Sequence, residues 1–305
     1  MLMEQDVAWE PPAGMLTHAD VPIAPELDFF APPPPEIGEV LNAFSSLKRG
    51  RRPLSAAAKG AILFLPGIVT LAALSYTKAV DDIWQVAIFI VLFVIGWFFT
   101  RFAHTCTYVG KDGVARIRCK KDRENITQQE VFRFRDAIEL RTSQTRHYHN
   151  GVYTGTSYDF AWTDDQARRV FRCNGTYRGE KKPPKPTDAF HFAEAAEVAW
   201  SIHLLDRAQE QLEQAGAIVF RLGGTDWVAV GPGFLELNLK GERRRCESAE
   251  IGGFSINGGT FKLKRTDAQE GWFRSTGVFQ FPYGTMANAR VFLLAIDRLL
   301  GHRFS

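Results

Sequence analysis

Cysteine is scarce in this 305-residue chain. There are four, at positions 106, 119, 173 and 246, and no two stand in a CxxC pair. That excludes a disulfide scaffold and a zinc ribbon. No GxSxG, HExxH or Walker sequence occurs, so the local signatures of serine hydrolases, zincins and P-loop enzymes are missing. Lysine and arginine are absent from residues 1–47, which hold eight acids: Glu4, Asp6, Glu10, Asp20, Glu26, Asp28, Glu36 and Glu39. An acidic start with no apolar run behind it argues against a secretory signal. The same segment carries Pro11-Pro12, Pro22, Pro25 and Pro32-Pro33-Pro34-Pro35. Proline removes amide donors and fixes φ, so residues 1–56 are expected to be a disordered, acidic, Pro-rich tail with a basic end.

The remainder holds all 37 basic residues and 26 of the 34 acids, an excess of +11 that the overall net charge of +3 conceals. A cluster of Lys48, Arg49, Arg51 and Arg52, followed by Lys59, precedes two charge-free windows, 60–77 and 83–100. Eighteen residues at 1.5 Å rise span roughly 27 Å, close to the hydrocarbon thickness of a bilayer. Residues 57–103 are therefore expected to be a transmembrane helical hairpin, kinked at Pro66-Gly67. The basic cluster would set topology, leaving both termini cytoplasmic in an integral protein of the cell (inner) membrane.

Residues 104–305 read as strands, a helix, more strands and a second helix. Asp112-Gly113 and Asn150-Gly151 mark turns between strand-like runs. Residues 188–214 are expected to be helical, with Ala195, Val198, Ile202, Leu205 and Leu212 on one stripe. Residues 286–300 follow suit, with Ala289, Phe292, Ile296 and Leu299 inward. The two cycles align at an offset of 120. Val109-Gly110-Lys111-Asp112-Gly113 matches Val230-Gly231-Pro232-Gly233, and Ala115, Ile117 and Cys119 match Leu235, Leu237 and Leu239 on the face expected to be buried. The expected domains are 104–216 and 217–305.

Strands closed by a C-terminal amphipathic helix, twice over, give the pattern of a pleckstrin-homology-like fold. The residues carrying it are Tyr108-Val109-Gly110-Lys111-Asp112-Gly113, opening one unit, and 288–300 (NARVFLLAIDRLL), closing the other. On these the chain resembles uncharacterised bacterial membrane proteins with a two-helix membrane hairpin and pleckstrin-homology-like domains. The resemblance implies an α+β fold: two transmembrane helices followed by two such domains, antiparallel β sheets each closed by a C-terminal helix. It also implies a cytoplasmic binding or scaffolding module, and it carries over no catalytic residue.

The candidate contacts are the basic loops at matching places in the two units. Lys120, Lys121 and Arg123 lie in the first, and Lys240, Arg243, Arg244 and Arg245 in the second. Clustered cations beside a bilayer attract anionic headgroups, each worth about 1 kcal/mol near the surface. A solvated basic face is the plainer reading. His147 and His149 lie two apart, so a strand points both to one face, but no third ligand stands at a fixed spacing and a polar hairpin is expected. Gly252-Gly253 and Gly258-Gly259 read as turns. Phe29-Phe30-Ala31 before four prolines is a possible docking segment for a protein partner, with a plain spacer as its alternative. No cofactor, metal or nucleic-acid partner is expected. The function expected is a membrane-anchored, non-catalytic binding or scaffold protein contacting anionic lipid or a protein. The alternatives are a component of an oligomeric transport assembly and a small enzyme built on His147, His149 and Asp159.

Overall fold

Short β-branched and aromatic runs broken by Gly and Asn turns build antiparallel meanders, and the chain is assembled from two of them. The computed structural model describes residues 9–27, 29–47, 56–77, 82–100, 104–119, 126–180, 182–270 and 275–302. In the first unit, β1 (Val40–Ser45), β2 (His104–Gly110), β3 (Gly113–Cys119) and β4 (Ile126–Arg133) form one sheet in that order. β5 (Glu139–His149), β6 (Val152–Thr163) and β7 (Arg169–Tyr177) form a second. Two helices follow, α3 (Phe190–His203) and α4 (Leu205–Ala215), the latter stopped by Gly216 in the left-handed conformation at φ 71°.

The second unit repeats the plan. β8 (Ile218–Arg221), β9 (Trp227–Gly231), β10 (Phe234–Leu239) and β11 (Glu242–Glu247) make a four-stranded sheet. β12 (Ile251–Asn257), β13 (Thr260–Glu270) and β14 (Ser275–Pro282) make a three-stranded one. α5 (Ala289–Ala295) runs on into a π turn at Ile296–Leu300. The architecture is thus mixed α and β, with four small antiparallel sheets among the described residues.

The helical hairpin, α1 (Ala56–Thr77) and α2 (Asp82–Thr100), stands between β1 and β2. The matching connection in the second unit is the short turn 222–226. The hairpin is therefore an insertion into the first sheet, and the first unit begins before it rather than at residue 104. Gly67 and Gly96 let the two helices approach closely. A Cβ on Gly67 would lie 2.5 Å from the Phe89 ring, and one on Gly96 would lie 3.0 Å from the Ile62 carbonyl.

The expected transmembrane hairpin is corrected. Among the described residues no helix is long and apolar enough to cross a membrane. α1 carries Lys59 near its start and α2 opens on Asp82. Thr70 and Pro66-Gly67 further interrupt the first, with the Thr70 hydroxyl donating to the Pro66 carbonyl at 2.7 Å. The fold of two transmembrane helices followed by two domains, the integral-membrane location, the two-span membrane partner and the cytoplasmic placement of both ends lose their basis with it. Lys48, Arg49, Arg51 and Arg52, the expected topology signal, lie outside the described residues.

The expected disordered tail is also corrected. Residues 9–27 and 29–47 cover the outer face of the first sheet. Phe30, Ala31 and Ile37 are fully buried there with Cys106, Tyr108 and Ala115, and Trp9, Met15, Ile23 and Phe29 pack around them. Proline density forbids helix but not burial. The segment satisfies itself with turns, a single ladder strand, and the Tyr108 hydroxyl donating to the Ala31 carbonyl. Phe29-Phe30-Ala31 is therefore core and is not presented to a partner.

The stripe expected on the first long helix differs too. Ile202 and Leu205 are exposed, and the buried face is Phe190, Ala193, Ala196, Ala199 and Trp200. The alanines let the helix lie close to the sheets while its aromatic ends fill the core. The chain also breaks at Leu204, so 188–214 is two helices.

One core runs through both units, from Phe132, Trp162 and Trp200 to Leu235, Phe261 and Phe292. Asn288 ties them together. It sits at φ 55°, a left-handed conformation Asn tolerates. Its backbone N–H donates to the Leu140 carbonyl at 2.7 Å. Its Oδ1 accepts from the Leu140 N–H and from Trp200 Nε1, each at 2.9 Å, and its Nδ2 donates to the Ile138 carbonyl at 3.1 Å. Asn288→Ala is expected to cost about 2–4 kcal/mol, from buried donors and acceptors left unpaired plus the strained φ. Asn288→Gly, which keeps the conformation, is expected to cost about 1 kcal/mol less. Urea unfolding of the full chain measures both, and equal losses would show that φ contributes nothing.

Candidate functional site

Strand parity decides what faces the space between the two sheets of each unit. In the first unit Val109 pairs with Val114, and in the second Val230 pairs with Leu235. The structural offset is therefore 121, not the 120 read from the sequence. A one-residue slip exchanges the two faces of a strand. Leu237 and Leu239, which pack in the core, correspond to Arg116 and Arg118; Val228, also core, corresponds to Thr107. Ala115, Ile117 and Cys119 point to the opposite face, under the N-terminal segment.

In the first unit these substitutions open a cleft of about 380 Å³ between the sheets and the start of α3. Two rungs cross the sheet on its floor. Phe44, Thr107, Arg116 and Glu130 are successive cross-strand partners, and Thr105, Arg118 and Gln128 form the next rung. Ser46 closes that rung: its N–H donates to the Thr105 carbonyl and its hydroxyl accepts the Thr105 N–H, both at 2.9 Å. Tyr158, Cys173, Asn174 and Phe192 form the facing wall, with residues 186–189 at the rim.

Arg116 is held on several sides. Its guanidinium lies 5.9 Å from the centroid of Phe171 and 5.5 Å from that of Phe192. One amino group donates to Glu130 at 3.0 Å and the other to Cys173 Sγ at 3.7 Å. Arg118 is more exposed and donates only to the Gln128 amide oxygen at 3.2 Å; among the described residues no carboxylate pairs with it.

His18 reaches the cleft from the N-terminal segment. It bonds Asn42 through Nδ1 and Thr107 Oγ1 through Nε2 at 2.8 Å, and its ring lies 5.1 Å from that of Phe192. Burial pushes its pKa down to about 4, against the opposing hydrogen bonds. Burial likewise pushes the Cys173 thiol up to about 12, with Arg116 only partly offsetting it.

The residues singled out from sequence do not converge. Lys120, Lys121 and Arg123 lie outside the described residues. Lys240 occupies a left-handed turn, its N–H bonded to Asp226 at 2.8 Å. On the edge strand β11, Arg243 pairs with Glu236 at 2.7 Å and lies over Trp227; Arg245 pairs with Glu247 at 2.8 Å and lies over Phe234; Arg244 faces Glu242 at 3.6 Å. Each arginine has its own acid, and alternation sends Arg244 to the opposite face from its neighbours. His147 donates to or accepts from Ser157 at 2.8 Å, and Asp159 is engaged by Arg172 at 2.6 Å. Among the described residues no group of three or more His, Cys, Asp and Glu side chains could hold a metal. All four cysteines are buried and none forms a disulfide.

The buried neutral imidazole carries a pH signature. Between pH 6.5 and about 4 the unfolded chain binds a proton at His18 that the folded chain does not. Stability contributed by this residue is complete above pH 6.5 and falls as pH drops toward 4, by roughly 3 kcal/mol. Denaturant titrations across that window on the wild type and His18→Asn are expected to show a steeper pH dependence for the wild type. Parallel curves would mean that His18 titrates in the folded chain as it does in the unfolded one.

No family model matches the chain and no curated protein matches it, so the purpose of the cleft has to be read from its own residues.

Proposed function

We propose that this chain is a non-catalytic binding protein, with the cleft of the first unit as its ligand seat. The observation that carries the reading is the state of the reactive groups within it. A thiol with a pKa near 12 supplies almost no thiolate at neutral pH, and an imidazole with a pKa near 4 is neither a charged acid nor a strong base there. Both are buried and already hydrogen-bonded. The remaining polar and aromatic lining is hydroxyls, an amide, aromatic rings, two guanidinium groups and the rim carboxylate of Asp188, which is bonded to the Lys185 N–H; this set suits recognition. The headgroup-contact version of this function has less support, since the arginines of β11 are matched one by one with acids.

A thermal-shift panel of small anions, cations and short peptides tests the reading. A ligand stabilises the folded chain in proportion to RT ln(1 + [L]/Kd). Each compound that raises the melting temperature is then recovered and weighed by mass spectrometry. Chemically unchanged recovery from the wild type, His18→Asn and Cys173→Ser is expected. Conversion by the wild type that disappears in either variant would overturn the reading and make the cleft an active site.

A further inference from the structure

The internal duplication provides a reference for the cleft. The second unit shows the same frame filled: Val228 and Leu237 are buried in the core and Leu239 packs against it. The first unit has Thr107, Arg116 and Arg118 at those positions and a cavity in place of the packing. A part-buried guanidinium such as that of Arg116 is costly unless something charged or polar meets it, and Arg118 stands exposed at the mouth of the same cleft. Glu130 meets Arg116. Asp188, the carboxylate on the rim, accepts the Lys185 N–H at 2.8 Å and is committed to its own loop. Arg118 has, among the described residues, only the Gln128 amide.

Resting on the binding reading, we infer that the cleft takes a small amphipathic oxyanion, a carboxylate or phosphate monoester bearing an apolar chain, with its anionic head on Arg118 and its chain toward Phe192. The head then meets a planar donor fork that no carboxylate among the described residues occupies, with the hydroxyls of Ser46 and Thr105 on the same rung. The chain meets Phe44, Tyr158 and Phe192 on the cleft walls. A volume of about 380 Å³ suits one small ligand and falls in the ordinary range for such sites. Neither head nor chain alone accounts for the lining: a free inorganic anion leaves the aromatic wall unused, and a neutral hydrocarbon leaves the Arg118 fork at the cleft mouth unused.

Calorimetric titration of the full chain with octanoate, monooctyl phosphate and octanol tests this. Both anions are expected to bind, and octanol at least tenfold more weakly. The stronger of the two anions identifies the head. Arg118→Gln and Arg118→Leu, the latter installing the residue type of the second unit, are expected to weaken the anions at least tenfold. Neither should change the melting temperature, because Arg118 is exposed and makes one side-chain bond. Absence of binding by both anions, equal binding of octanol, or anion affinity unchanged in both variants would overturn the inference. Those failures are distinct from chemical conversion of a ligand, which is what would overturn the binding reading itself.

Discussion

The register that sets Val109 opposite Val114 determines what the first unit contains. Once that pair is fixed by the turn over Lys111 and Asp112, alternation places Thr107, Arg116 and Arg118 between the sheets and Tyr108, Ala115 and Ile117 outside. The outer face is then apolar and needs a cover, which residues 9–47 supply. The inner face is polar toward its open end and cannot close, which leaves the cleft. The same pairing of Val230 with Leu235 has opposite consequences in the second unit, where the inner face is apolar and the outer one carries Glu236 and Asn238. One frame thus serves as a packed body in one copy and as a container in the other.

The container stays rigid because it is fixed to the packed body. Asn288 precedes α5 and closes its bonds on β5 and Trp200 of the first unit, so the last helix of the chain is anchored on the first unit as well as on its own sheets. Glu139 adds to this seam, largely buried and within reach of Arg141 and, from the second unit, Arg221. Trp200 lies on α3, whose opening turn carries Phe192 into the cleft wall. The position of that wall therefore depends on hydrogen bonds made at the far end of the same helix by the other unit.

Much of the strand and turn pattern was legible in the sequence, because Gly and Asn turns and period-two alternation are local signals. The alternation of Ala115, Ile117 and Cys119 with Arg116 and Arg118 was visible. Which set faces the interior was not, because the answer depends on a partner at residues 9–47 that composition marks as unstructured. Proline richness and acidity describe how such a segment behaves alone; Phe30 and Ile37 decide how it behaves against a sheet that lacks a cover. Charge-free windows 60–77 and 83–100 located the two helices, but length and hydropathy do not reveal that they interrupt a β-meander. The clustered lysines and arginines drew attention because they are adjacent in sequence. Arg118, which pairs with no carboxylate among the described residues, is flanked by apolar residues and gives no such signal, and His18 meets Thr107 across 89 positions.

The hairpin's place in the chain bears on the cleft. α1 and α2 leave the frame between β1 and β2, close to the bonds between Ser46 and Thr105, the residues that end the outer rung of the cleft floor. An insertion at that point does not disturb the core, because the two strands are already zipped on the inner side of it. Phe64, Leu65 and Ile68 of α1 and Val91 and Val94 of α2 remain exposed, so the insertion adds apolar surface rather than burying it. In the second unit the corresponding turn is short and the corresponding interior is full. The copy that carries the insertion is also the copy that exchanged core leucines for arginines. Both departures sit at the same end of the same sheet, where a long strand connection and an unfilled interior are physically compatible.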